Sequence, residues 1–88
     1  MDKAKGIILA IAGKDIAFNP NEVAYNKFIN EMQMDNKVAP AHSYLMRIVC
    51  KEDKEALGEI LRHPGAALQI VGEVNKEYAP QLEIFVKK

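Results

Sequence analysis

The apolar residues of this chain change their spacing twice, and that change limits the folds open to it. From Ile7 to Phe18 they divide into the two faces of extended chain, Ile7, Leu9 and Ile11 against Ile8, Ala10 and Ala12; from Val23 to Tyr78 they recur at every third or fourth position, and Leu82, Ile84 and Val86 alternate again. A period of two belongs to strands and a period near 3.6 to helices, so strand segments stand at both ends with helices between them. A lone strand leaves its backbone donors and acceptors unpaired, which predicts that the two ends of the chain meet in one sheet. The expected order is ββααααβ. This is an α+β fold in which an N-terminal hairpin and a C-terminal strand form a small, mainly antiparallel sheet packed with about four helices. With 88 residues, there is material for one core and not for two, so residues 1–88 are read as a single domain.

Local signals place the elements. In "GIILAIAGKDIAF", Ile7, Leu9 and Ile11 share one strand face, and the glycine of Gly13-Lys14 predicts a type II′ reversal. Asn19-Pro20-Asn21-Glu22 reads as a helix start with Asn19 as the cap and Pro20 in the first turn, followed by a stripe of Val23, Tyr25, Phe28, Ile29 and Met32. A second helix opens at Pro40, with Ala41, Tyr44, Leu45, Ile48 and Val49 at i, i+3, i+4, i+7 and i+8. Lys51 to Asp53 is the expected break before a third stripe of Ala56, Leu57, Ile60 and Leu61. Pro64-Gly65 separates this from a fourth, carried by Ala67, Val71, Val74 and Tyr78, which Pro80 ends.

Charge and cysteine use narrow the function classes. Twelve basic and twelve acidic side chains give zero formal net charge, so no broad field draws in nucleic acid or anionic lipid, and repulsion between copies is weak enough to leave self-association open. The single cysteine has no intrachain disulfide partner, and "MDKAKGIILAIAGKD" lacks a secretory pattern, so a cytoplasmic location is expected. The run from Ile7 to Ala12 is far shorter than the about 20 apolar residues of a membrane-spanning helix.

No constellation for chemistry emerges. His63-Pro64-Gly65 reads as a helix-to-helix corner, because no second catalytic group is tied to it by a recognised spacing. Cys50 falls at a helix C-terminus, where the dipole disfavours thiolate, and His42 lies eight residues away, about 800° of helical rotation. Two histidines and one cysteine without CxxC or HxxxH spacing make a poor zinc set, and Gly13-Lys14 lacks the rest of a phosphate loop. No catalytic, cofactor-binding or metal-ligating residue is assigned, and no cofactor is expected. Met34, on the polar side of the first helix, and Met46, at the edge of the second helix's stripe, are the candidates for an exposed apolar contact surface.

The stretches "KGIILAIAGKDIAFNPNEVAYNKFINEMQMDNKVAPAHSYLMRIV", "HPGAALQI" and "EYAPQLEIFVKK" together resemble the phage tail assembly chaperones of tailed bacteriophages and prophages. The resemblance runs nearly end to end, and its markers are the glycine-bounded first strand, "NEMQMDNKVAPAHSYL", the Pro64-Gly65 turn and the closing Lys87-Lys88. It implies a non-catalytic, non-virion protein of the infected cell's cytoplasm that binds the tape measure protein or other tail components while the tail is built. It carries over no site residue by position; Met34, Met46 and the turn between the first two helices are the expected contact surface. The alternative is a small phage-encoded nucleic-acid-binding regulator, which zero net charge disfavours although Lys3 with Lys5 and Lys87 with Lys88 make local basic patches.

Overall fold

The computed structural model describes residues 6–87 and begins with a hairpin of β1 (Ile7–Ile11) and β2 (Lys14–Phe18). The strands pair antiparallel with Ile7 opposite Phe18, Leu9 opposite Ile16 and Ile11 opposite Lys14. The reversal is made by Ala12-Gly13, one residue earlier than the glycine alone predicts. Both residues have positive φ, 51° and 83°, which is a type I′ loop rather than II′. This matches the twist of the two strands at the cost of holding an alanine in the left-handed region.

Four helices follow: α1 (Glu22–Glu31), α2 (Val38–Ile48), α3 (Lys54–Ile60) and α4 (Ala66–Tyr78), with a 3-10 turn at Lys51–Asp53 where the break between α2 and α3 is expected. The cap of α1 is Asn21, whose side chain accepts from the Ala24 N–H at 2.8 Å, not Asn19. Asn19 is otherwise engaged. Its backbone N–H donates to the Ile48 carbonyl at 2.7 Å and its side-chain amide to the Cys50 thiol at 3.0 Å. The second helix starts two residues before Pro40, which its first turn tolerates because N–H groups there have no helical acceptor.

These contacts give β2 a second neighbour. Cys50 N–H donates to the Ala17 carbonyl at 2.8 Å, Phe18 and Val49 form a bridge, and the Ala17 N–H donates to Asp53 Oδ2 at 2.9 Å. The segment after α2 therefore covers the outer edge of β2. The expected C-terminal strand is absent: residues 81–87 have no regular structure and are exposed. Alternation of Leu82, Ile84 and Val86 gives a segment two faces but no partner, and of the hairpin's two edges one is already taken by residues 48–50. The sheet has two strands, and the order among the described residues is ββαααα.

The buried cluster collects Ile16 and Phe18 from the hairpin, Phe28 from α1, Tyr44, Leu45 and Ile48 from α2, Leu57 and Ile60 from α3, and Ile70, Val71 and Val74 from α4. Ile7, Leu9 and Ile11 pack against it as half-buried side chains, as their shared strand face predicts. Helix α1 departs from its predicted stripe, burying Ala24 and Phe28 while Val23, Ile29 and Met32 are exposed. Adjacent helical residues are about 100° apart, so a helix that seats Phe28 turns Ile29 away.

Candidate functional site

The corner between α1 and α2 is where apolar side chains gather outside the core. At the end of α1 the Met32 N–H bonds back to the Phe28 carbonyl. The chain then reverses through a narrow turn in which Gln33 and Asn36 exchange backbone hydrogen bonds of 3.1 and 3.2 Å. That exchange pushes Met34 to the tip, where it is 94% exposed. Helix α2 resumes at Val38, 59% exposed, and Ile29 and Met32 on the α1 side of the corner are also exposed. Beside them lies an open recess of about 450 Å³ lined in part by Asn30, Gln33, Asn36 and Ser43.

Of the two predicted contact residues, Met34 stands at this corner and Met46 does not share its exposure. Met46 is half-buried and packs against the core cluster from α2. Ile29, Met32 and Val38 were not predicted as surface residues. For Ile29 and Met32 the helical stripe argued for burial. The signal for Val38 is its position before Pro40, where an α2 begun two residues earlier leaves the first turn beyond the packed stripe.

The residues considered for catalysis are not assembled. Cys50 is buried, with its thiol accepting from Asn19, whereas His42 and His63 are both exposed. His63 Nδ1 lies 3.1 Å from the Ile60 carbonyl, and its backbone N–H donates to the same oxygen, so it closes the end of α3 as the corner reading predicts. Gly65, with φ of 80°, then turns the chain into α4. Among the described residues, no group of three or more His, Cys, Asp or Glu is placed to hold a metal ion, and no helix is long and apolar enough to cross a membrane. Lys3, Lys5 and Lys88, considered as basic patches, lie outside the described residues.

One titrating group stands out. Burial, and after it the neighbouring Tyr78 and Tyr25, push the Tyr44 phenol from 10.0 up to about 12. Because the folded chain holds this proton more tightly than the unfolded chain, the linked stability is complete below about pH 10 and is lost as pH rises through about 12. The slope is about 1.4 kcal/mol per pH unit in that window. Denaturant melts at stepped pH should show this fall in the wild type, and Tyr44→Phe should lack it; equal slopes would contradict the assignment.

A segment away from the corner is also apolar and uncovered: Leu82, Ile84, Phe85 and Val86, beyond Pro80, are all exposed.

The family model described as phage tail assembly chaperone matches residues 7–88. The chain is also similar to an uncharacterised 11.3 kDa protein in the lys 3′ region of Haemophilus phage HP1 (strain HP1c1). The two are 40% identical over 81 residues, which cover 92% of this chain and 79% of that one. No solved structure matches.

Proposed function

The chain belongs to the phage tail assembly chaperone family, and on that premise we propose that it binds the tape measure protein during tail morphogenesis, non-catalytically and in the cytoplasm of the host cell. A long, largely helical client with apolar stripes would aggregate if those stripes were left uncovered. A small domain that lends apolar contact area to those stripes, and gives it up when tube subunits arrive, meets that need without making or breaking a bond. Several copies along one client gain avidity from modest single contacts.

The observation that carries this reading is the apolar corner of Ile29, Met32, Met34 and Val38, four exposed side chains at one end of a helix pair. Methionine suits such a surface because its unbranched, polarisable side chain adapts to different partners. The test is coexpression with the neighbouring tail genes. The tape measure protein is expected to become soluble and to copurify with this chain. A tape measure neither retained nor made more soluble would rule the reading out, and salt-dependent retention on DNA would favour the nucleic-acid-binding alternative.

A further inference from the structure

We propose that the C-terminal segment around Leu82–Val86 of one copy adds as a third strand along the free edge of β1 in a second copy, and that the exchange is reciprocal.

The acceptor is the β1 edge. In a two-residue hairpin the pair flanking the loop, Ile11 and Lys14, is hydrogen-bonded, and so by alternation are Leu9 with Ile16 and Ile7 with Phe18. Ile8 and Ala10 therefore direct their N–H and C=O groups away from β2. Among the described residues the sheet has no strand beyond β1. Unlike β2, whose outer edge is closed by residues 48–50 and Asp53, β1 presents an open ladder with no charged side chain and no proline to blunt it. Next to it runs a groove of about 370 Å³ between the strand and α4, lined by Leu9, Ile11, Gln69, Ile70 and Glu73.

The donor is the only described segment with a strand's alternation and no strand partner. Its two faces match the two sides of the acceptor. Leu82, Ile84 and Val86 point to one side, fitting the groove formed by Leu9, Ile11 and Ile70. Phe85 points to the other, where Ile8 is 51% exposed and offers an aromatic-on-branched cross-strand neighbour.

A second copy is favoured over an unrelated partner because each chain carries both an uncovered strand and an uncovered edge. A client strand would satisfy one of these and leave the other; reciprocal exchange satisfies both in both copies and closes the assembly at two. Zero net charge puts no field in its way. Pro80 breaks α4 from the tail and leaves the segment free to depart from its own domain.

The test uses the purified chain alone, so it stands or falls separately from client binding. Light scattering across a dilution series should show a monomer–dimer equilibrium for the full chain and a monomer for the chain ending at Pro80. Hydrogen exchange at Ile8 and Ala10 should slow by about tenfold or more from the dilute to the concentrated sample, and lose that dependence on truncation. Should the truncated chain fail to fold, Ile84→Asp with Val86→Asp keeps the length and is expected to give the same loss of dimer. A full chain that is monomeric throughout would overturn the proposal, as would a dimer that survives both variants. Protection of Ile8 and Ala10 independent of concentration would also overturn it, since the tail would then be closing on its own chain.

Discussion

Tyr44→Ala is expected to cost about 3–5 kcal/mol, the range for truncating a large buried aromatic side chain. Tyr44 has no exposed surface. Its ring stacks on Phe28 of α1 with centroids 5.0 Å apart and meets the edge of Tyr25 at 6.3 Å. Its hydroxyl donates to Asn75 Oδ1 on α4 at 3.3 Å. One side chain thus ties α2 to α1 and α4. At roughly 0.05–0.15 kcal/mol of net stability per residue, a chain of 88 residues has about 4–13 kcal/mol in total, so the loss is from a quarter of the stability to all of it. Tyr44→Phe separates the contributions. It keeps the ring, loses one long hydrogen bond to a residue that water reaches, and should cost no more than about 1 kcal/mol. Urea melts of the two variants decide the matter; a Tyr44→Ala protein within 1 kcal/mol of wild type would show that the stacked rings do not hold the helices together.

How much of this was legible in the sequence depends on whether local chemistry or the tertiary context decides. The helices α2, α3 and α4 could be read from their stripes because Tyr44, Leu45 and Ile48, Leu57 and Ile60, and Val71 and Val74 keep the helical period and do become buried. Pro64-Gly65 and Pro80 act through their own backbones, and they end helices as expected. The misreadings come from competition between equivalent groups. Asn19 and Asn21 are equally good caps in isolation; pairing of Asn19 with Ile48 and Cys50 takes it out of contention, and that pairing joins residues 29 and 31 positions apart. Val23, Ile29 and Phe28 compete for one face of α1, and the largest ring wins because Tyr44 offers it a stacking partner. The tail was misread as a strand because alternation gives a segment two faces but supplies no partner, and residues 81–87 pair with neither edge of the hairpin. The exposure of the two methionines divides for a related reason: Met34 is exposed by a local turn, while Met46 is claimed by packing that only the assembled helices provide.

Replacing Met34 and Val38 together by aspartate should separate binding from stability, because the two respond in opposite directions. Val38 is the first residue of α2, and Lys37 before it supplies no side-chain cap; there is no acidic residue in the helix's first turn. An aspartate there faces the positive end of the helix dipole and is expected to add a few tenths of a kcal/mol to stability. Met34 at the turn tip touches little of its own chain, so Met34→Asp should change stability by less than about 0.5 kcal/mol. A partner that buries both side chains loses about 1.5–3 kcal/mol of apolar transfer at each and must also desolvate two carboxylates. Affinity for the tape measure protein should therefore fall by about 100-fold or more, while the thermal midpoint of the isolated chain stays level or rises. Unchanged client affinity in a folded double variant would move the binding surface away from the α1–α2 corner. A midpoint that fell with the affinity would leave the loss of binding explained by unfolding, and would contradict the placement of these two side chains outside the core.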